Sequence, residues 1–324
     1  MSSSWGNTIK ISIFGESHGA AIGVVLDGLP AGIPIDMEDL LSFMDRRRPG
    51  KALFATSRKE SDTPHILSGY YHGQTTGTPL AIVIQNADTH STDYKEMEHI
   101  ARPAHADFTG HLRYRGAQDP RGGGHFSARL TVAFVAAGVV AKKMLPPGIA
   151  FDTRLTEIGG CTDPARFDEV LRAAAADLDS VGGIIECRVQ GVPLGLGQPF
   201  FDSAESLIAH LLFAIPAVKG VEFGSGFAGA RLRGSQNNDP LLDVEGTTAT
   251  NNAGGINGGL TNGNELVVRA AVKPTASIAR EQQTFDFAAG RVAPLRIRGR
   301  HDACIALRCP VVVEAIAAIA LANN

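Results

Sequence analysis

Aromatic residues are scarce, 6% of the 324 residues with a single Trp. That argues against the stacking platforms that hold single-stranded nucleic acid. Neither sign of charge dominates: 30 Lys and Arg stand against 33 Asp and Glu, a net charge of −3. A nucleic-acid binder relying on bulk positive charge is therefore disfavoured, while a local basic pocket stays open. No apolar run spans a membrane; the longest, from Val132 to Ala141, is about half the required length. The first residues, MSSSWGNTIK, hold no apolar signal segment. Cys161, Cys187, Cys304 and Cys309 form no Cys-x-x-Cys pair and no metal spacing. They read as small buried apolar residues in a reducing compartment. The expectation is a soluble, cytoplasmic protein with no nucleic-acid and no membrane partner.

Glycine is what abounds, 37 residues without a collagen-like period. These glycines must serve turns and close backbone approaches. Between them run short β-rich segments: Ile9 to Gly15, Ile22 to Leu26, Pro79 to Ile84, Gly183 to Val189 and Leu266 to Val272. Gly220 to Phe223 and Ala228 to Leu232 read as neighbouring strands across a Gly-Ser-Gly turn. Helices are expected at Met37 to Arg46 with Asp36 as N-cap, Arg166 to Leu178, Ala204 to Ala214 and Pro310 to Leu321. Ser127 to Leu145 is apolar all round, which predicts a buried helix with Lys142 and Lys143 against its C-terminal dipole. Arg47 to Asp62, Arg113 to His125, Asn237 to Asn264 and Gln282 to Arg300 read as long polar loops. No fixed-period repeat and no linker appear, so the base reading is a single α/β or α+β body.

Three patterns mislead. Gly224 to Gly229 matches Gly-x-Gly-x-x-Gly, but the residues after it read as a strand rather than a helix, so a dinucleotide site is set aside. Pro49-Gly50-Lys51-Ala52 lacks the upstream glycine and the hydroxyl of a phosphate-binding P-loop. His105-Ala106-Asp107 and His301-Asp302 are tight pairs without zinc-ligand spacing, so no metal is expected.

Four loop segments combine glycine with titratable side chains. Gly15-Glu16-Ser17-His18-Gly19 ends the first strand in a sharp turn that exposes a hydroxyl and an imidazole. Alone, such a histidine is more often a simple surface or hydrogen-bonded residue. Asp45-Arg46-Arg47-Arg48 sets guanidiniums side by side, usual on a solvated face and suited to polyanions. Arg121-Gly122-Gly123-Gly124-His125-Phe126-Ser127-Ala128-Arg129 joins a flexible backbone to a capped helix start, between two arginines. Lys273-Pro274-Thr275-Ala276-Ser277 offers a cation and hydroxyls for a phosphate. Asp302 beside Arg300 is either a surface ion pair or a buried carboxylate near a cofactor. Together these describe a polyanion pocket built from loops along the whole chain, as an enzyme for a small phosphorylated acid would need.

At these residues the chain resembles the chorismate synthases. Gly15 to Gly19, continued by Val24-Val25-Leu26-Asp27-Gly28-Leu29-Pro30, is similar to the family's first signature. Gly124 to Arg129 is similar to the second, and Arg300-His301-Asp302 followed by Glu314 to the third. Arg102-Pro103, His105 to Asp107, Asp45 to Gly50 and Lys273 to Thr275 fit between them, and the likeness runs from about residue 7 to 320.

The resemblance implies an α+β fold, a β-α-β sandwich of two similar halves in one domain over residues 1–324. It implies a carbon–oxygen lyase of the shikimate pathway that makes chorismate from 5-enolpyruvylshikimate 3-phosphate by 1,4-anti elimination of phosphate. The cofactor implied is reduced FMN, without net redox change, and the assembly a homotetramer. No nicotinamide motif is visible, so NADP or NAD(P)H would act only indirectly, through an external flavin reductase. Carried over residue by residue, His18, His105, Asp302 and Ser17 are the catalytic set. Arg47, Arg48, Arg129 and Arg300 grip the substrate, and Arg46 faces solvent. His125, Phe126, Ser127, Ala217, Gly258, Lys273, Pro274, Thr275, Ala276, Ser277 and Arg300 line FMN. Ala104, Pro216, His125-Phe126, Ala303 and Leu53 depart from the family's commonest residues, which bears on binding more than on reaction type. Two other readings compete: a related lyase on a different substrate, and a non-catalytic anion-binding protein of the same fold.

Overall fold

A computed structural model describes residues 3–48, 61–86, 99–297 and 302–324. Strands β1 (Ser4–Trp5), β2 (Lys10–Gly15) and β3 (Ala21–Asp27) lead into helix α1 (Met37–Arg47). Next come β4 (Pro64–Ser68), a small hairpin β5 (Tyr70–Tyr71) and β6 (Gln74–Thr75), β7 (Leu80–Gln85), α2 (Asp107–Tyr114) and α3 (Thr131–Met144). Then follow β8 (Ala150–Ile158), α4 (Phe167–Ala176), β9 (Gly183–Gln190), α5 (Ala204–Leu212) and β10 (Val218–Phe223). The chain continues through the short turns α6 (Gly226–Gly229) and α7 (Gly234–Asn237), the hairpin β11 (Ile256–Asn257) and β12 (Leu260–Thr261), and β13 (Leu266–Val272). A last hairpin, β14 (Gln282–Asp286) and β15 (Arg291–Leu295), precedes α8 (Pro310–Ala322).

Two antiparallel sheets enclose a helical layer. One has five strands in the order β1-β2-β3-β7-β4, the other four in the order β10-β13-β9-β8. Helices α1 and α3 lie on the first sheet's side, α5 and α8 on the second's, and α3 packs along α8. Period-2 alternation sends Ile22, Val24, Leu26, Leu80, Ile82 and Ile84 inward, all fully buried. Helices α3 and α8 are apolar on nearly every face because both are covered on nearly every face. Their crossing is tight: a Cβ on Gly138 would lie 2.3 Å from the Cβ of Ala315.

The two halves share one topology. In the first, β2 and β3 pair, α1 follows, β4 and β7 pair, and α3 follows. In the second, β8, β9, α5, β10, β13 and α8 repeat that order. In both sheets the first, second, fourth and third of these strands stand side by side. The β-α-β sandwich of two similar halves is thus present, as the resemblance implied.

Most expected elements form, and Asp36 caps α1 by accepting from the Glu38 N–H at 2.8 Å. Four expectations change. Ala228 to Leu232 is no strand: Gly224 and Gly226, with φ of 53° and 50°, turn the chain into α6 instead. Residues 113–125 include the end of α2, and the spans 237–264 and 282–300 contain hairpins, so these are not plain loops. Ser127 caps a single 3-10 turn, Ala128–Leu130, and α3 begins only at Thr131. Arg46 does not simply face solvent. It forks onto Glu314 at 2.5 and 3.2 Å, a carboxylate 3% exposed inside the helical layer that Lys142 also binds. Burial alone would raise the Glu314 carboxyl, but Arg46 and Lys142 bring it below its ordinary value.

Candidate active site

The long connections after the fourth strand of each half meet at one cavity of about 940 Å³. Its lining includes the apolar Ile13, Phe134, Leu211, Ile215 and Ile316, and Trp5 there stacks on His210 at 6.2 Å. Among the described residues, Arg47, Arg102, Arg129, Lys219, Lys273 and Arg308 also line the cavity, against one carboxylate, Asp302. A chain of net charge −3 has concentrated its positive charge where an anion would sit.

The glycines of Gly122-Gly123-Gly124 form a partition that packs against Ser17 and His18 through Gly122 and against His105 through Gly123. Their φ angles are 60°, 87° and 53°, a left-handed run that side chains resist. Space excludes a side chain as well. A Cβ on Gly122 would lie 2.6 Å from His18 Cδ2 and 2.9 Å from Ser17 Oγ. On the neighbouring residue Gly123, a Cβ would lie 3.0 Å from His105 Cε1. Ser17 and His18, 4% and 6% exposed, therefore sit behind Gly122, which itself lines the cavity. Ser17 N–H donates to the Gly124 carbonyl at 3.1 Å, and Ser17 Oγ has no hydrogen-bond partner among the described residues. His125 ties the partition to β2: its Nδ1 donates to the Gly15 carbonyl at 2.8 Å, and its Nε2 meets Ser3 Oγ at 2.8 Å.

Asp62, 0% exposed, is bound by both Arg47 and Arg129. Burial would raise its carboxyl, yet the two guanidiniums hold it below its ordinary value. Arg47 also donates to Thr131 Oγ1 at 3.0 Å and to the Ala128 and Arg129 carbonyls at 3.3 Å, so much of its fork is structural. Arg129 donates through Nε to Asn86 Oδ1 at 3.2 Å. Asn86 in turn donates to the Glu16 and Gly19 carbonyls at 3.0 and 2.9 Å, which links Arg129 to the turn that carries Ser17 and His18. Arg48 bonds Asp45 and the Ser61 carbonyl and is not among the cavity-lining residues.

Across the partition, His105 Nδ1 lies 2.6 Å from Asp107 Oδ1, and Arg102 forks onto the same carboxylate. Burial pushes the Asp107 carboxyl up; the bonds and charges of Arg102 and His105 outweigh that and hold it well below the usual carboxylate range. Toward the second half, Arg102 Nη1 reaches Ser277 Oγ at 3.0 Å, and Lys273 from that half binds the Ala104 carbonyl. Burial and the charge of Lys219 both lower the Lys273 ammonium from its ordinary value. Thr275 Oγ1 is buried without a hydrogen-bond partner among the described residues. Asp302 meets Arg308 at 3.4 Å, and Arg308 Nε donates to the Arg47 carbonyl at 3.2 Å. Ala104 and Ala217, both at the cavity, have φ of 57° and 76°. That left-handed backbone favours glycine, which the family resemblance expects at 104.

The cavity thus gathers His105, Asp302, Arg47, Arg129, His125, Phe126, Ser127, Ala217 and Lys273 to Ser277, with Ser17 and His18 one layer behind. Gly258 stands apart, exposed on the turn between β11 and β12. Arg300 and His301 lie outside the described residues, as does Leu53. Sequence reasoning gave no role to Asp62, Asn86, Arg102, Asp107 or Arg308. Two of them had a readable signal: Asp107, a carboxylate two residues after His105, and Arg102, in the Arg-Pro pair that fits the family. Among the described residues, no group of His, Cys, Asp and Glu could hold a metal ion, and no helix is long and apolar enough to cross a membrane.

A family model described as chorismate synthase matches residues 9–324. A chorismate synthase from Chitinophaga pinensis is 54% identical over 320 residues, covering 99% of this chain and 95% of that protein. One from Thermococcus kodakarensis is 46% identical over 343 residues, covering 98% and 96%. A crystal structure of chorismate synthase superposes with a TM-score of 0.76 at 28% identity, covering 98% of this chain and 92% of that one.

Proposed function

The chain belongs to the chorismate synthase family, and on that premise we propose that it converts 5-enolpyruvylshikimate 3-phosphate to chorismate and phosphate, with reduced FMN bound and not consumed. The observation that carries this reading is the cavity's charge: among the described residues, six cationic side chains and one carboxylate line a space that also has many apolar side chains. Such a space suits an amphipathic ring system together with a substrate of two carboxylates and a phosphate.

The residues fit the cofactor. Lys273 and Lys219 supply charge for its phosphate, and the buried Thr275 hydroxyl lacks any other partner among the described residues. Pro274, Ala276, Ser277, Ala217 and Ser127 complete the wall that would hold it. When bound, reduced FMN supplies electron density for C–O cleavage that returns when the C6 hydrogen leaves, so no net redox change results.

The chain's own residues bind, dry and protonate. Arg129, steadied by Asp62 and Asn86, holds the substrate's negative charge at a fixed place. His105, whose ring lines the cavity, hands a proton from Nε2 of its protonated form to the departing phosphate. His18 and Ser17, shielded behind Gly122, hold a proton close to the cavity but away from bulk water. Asp302, at the cavity beside Arg308, would assist removal of the C6 hydrogen together with Ser17. Arg47 serves chiefly as the second clamp on Asp62. The same reading makes the protein one domain over residues 1–324, a cytoplasmic homotetramer supplied with reduced flavin by an external reductase. NAD(P)H enters only there, a view supported by the antiparallel pairing of β10 with β13, where a dinucleotide-binding unit would need parallel strands.

The test is anaerobic. Photoreduced FMN, enzyme and excess substrate are mixed, and phosphate release and flavin absorbance are followed. Many phosphates per flavin with the flavin still reduced is the expected result. One oxidised flavin per product, or no phosphate, would refute the reading.

A further inference from the structure

Arg102, His105 and Asp107 form a network in which every side-chain polar atom but one has a protein partner among the described residues. Asp107 Oδ2 accepts from the Arg102 backbone N–H at 3.0 Å and from Arg102 Nε at 2.7 Å. Asp107 Oδ1 accepts from Arg102 Nη2 at 2.7 Å and faces His105 Nδ1 at 2.6 Å. Arg102 Nη1 is held by Ser277 Oγ at 3.0 Å. The atom left over is His105 Nε2, which no protein group bonds among the described residues and whose ring lines the cavity.

The proton positions follow from what each atom can do. An ionised carboxylate only accepts. Arg102 Nη2, 3.0 Å from His105 Nδ1, only donates, and it already donates to Asp107 Oδ1. The shorter contact is to the carboxylate, so Nδ1 carries hydrogen. In the neutral ring, Nε2 is then an acceptor. Arg102 fixes the carboxylate by three donations, and Gly123 packs against the far edge of the imidazole, so the ring has little room to flip.

We infer that Arg102 and Asp107 are positioning residues for the reaction: they lock His105 with hydrogen on Nδ1 and make Nε2 the single proton-transfer atom that faces the cavity. The use of that proton rests on the function proposed above; the tautomer does not. Asp107 touches no reacting atom and acts only through His105.

Asp107→Asn separates this role from a merely structural one, because an amide has one acceptor oxygen. The Arg102 backbone N–H and Nε–H draw that oxygen to the Oδ2 position, which turns the NH2 toward His105. Nδ1 must then accept, and the hydrogen moves to Nε2. The experiment records 15N shifts of histidine-labelled enzyme, with His105→Gln to assign the resonance, beside steady-state kinetics. In the wild type, Nδ1 is expected protonated and Nε2 bare in the neutral ring, and in Asp107→Asn the reverse. The variant's kcat should fall on the order of 10²–10⁴-fold, with KM within about twofold. In a His105→Gln background, the same substitution should change kcat by less than about twofold. A neutral wild-type ring with hydrogen on Nε2 and none on Nδ1 overturns the inference without any variant having to fold. So does a switched tautomer with unchanged kcat, or a loss that multiplies fully with that of His105→Gln. If the wild type releases no phosphate, the functional reading fails, while the 15N result still decides the tautomer.

Discussion

The two halves of this molecule have one topology and opposite surfaces. On the outer face of the first sheet, Phe14 lies over Gly23, whose Cβ would come within 2.2 Å of its ring, and Val25 and Val83 flank that pair. On the outer face of the second sheet, Arg154, Glu186, Arg269 and Glu222 stand opposite one another across four strands, alternating in sign. Inside, the equivalent connections differ just as much. The one from β7 to α3 carries Arg102, His105, Asp107 and the glycine partition, and the one from β13 to α8 carries Lys273 to Ser277, Asp302 and Arg308. The scaffold repeats, and on the proposed reading the chemistry is divided: the histidines that handle protons come from the first half, and the phosphate cradle, with Asp302, from the second. Arg102 on Ser277 and Lys273 on Ala104 join the two.

The largest effect is expected at Asp62. Asp62→Ala leaves Arg47 and Arg129 buried without their shared carboxylate, and should cost about 3–5 kcal/mol in urea unfolding at neutral pH. The pH dependence has a definite sign. Asp62 titrates lower folded than unfolded, so its contribution is complete above about pH 4 and fades as pH falls through the folded value. The variant should lack that part of the acid limb. A cost under about 1 kcal/mol would show that the first half's arginines do not need their anchor.

Gly122→Ala compares with Gly73→Ala. Both sites have positive φ, 60° and 81°, but a Cβ at 122 meets His18 and Ser17, whereas one at 73 meets nothing within 4 Å. Backbone strain of about 1–2 kcal/mol is common to the two. Only Gly122→Ala should also lower kcat, by on the order of tenfold or more, as a turnover assay on both variants would show. Equal kcat would mean that the partition is a turn and no more.

Lys273→Met should weaken FMN binding by roughly 10–100-fold, the loss of one charge-assisted bond of about 1.5–3 kcal/mol. An anion favours the charged ammonium, whose pKa burial and Lys219 have lowered. FMN affinity should therefore fall as pH rises through that lowered value, and Lys273→Arg, charged throughout, should flatten the profile. A flat profile in the wild type would place the FMN phosphate elsewhere. The smallest effect belongs to the second sheet's outer face: Arg154→Ala, at a side chain 58% exposed, should cost no more than about 1 kcal/mol in the same urea titration.

Much of the fold could be read from alternation and caps. Ile22 to Leu26, Leu266 to Val272 and the Asp36 cap are local signals, and local physics decides them. The repeat could not be read, because the halves share strand order and not residues. Edge strand β8 was missed because it alternates charged with half-buried residues and lacks a clear apolar stripe. Ala228 to Leu232 misled because two glycines at positive φ redirected the chain. At the site, glycine-flanked histidines and clustered arginines marked the loops. Their anchors, Asp62, Asn86 and Arg308, are single residues far from their partners in sequence, and only the folded packing of the loops pairs them. Arg46 illustrates the converse, an arginine that sequence sends to solvent and a buried glutamate draws in.

The division of labour between the halves can be tested by measuring FMN affinity and kcat at saturating FMN together, in His105→Gln and Lys273→Met. Trp5, the single tryptophan, lines the cavity wall and reports flavin binding by quenching. The account predicts a crossed result: His105→Gln keeps its FMN affinity and loses kcat, and Lys273→Met loses affinity and keeps most of its kcat. Proportionate loss of both quantities in both variants would contradict it.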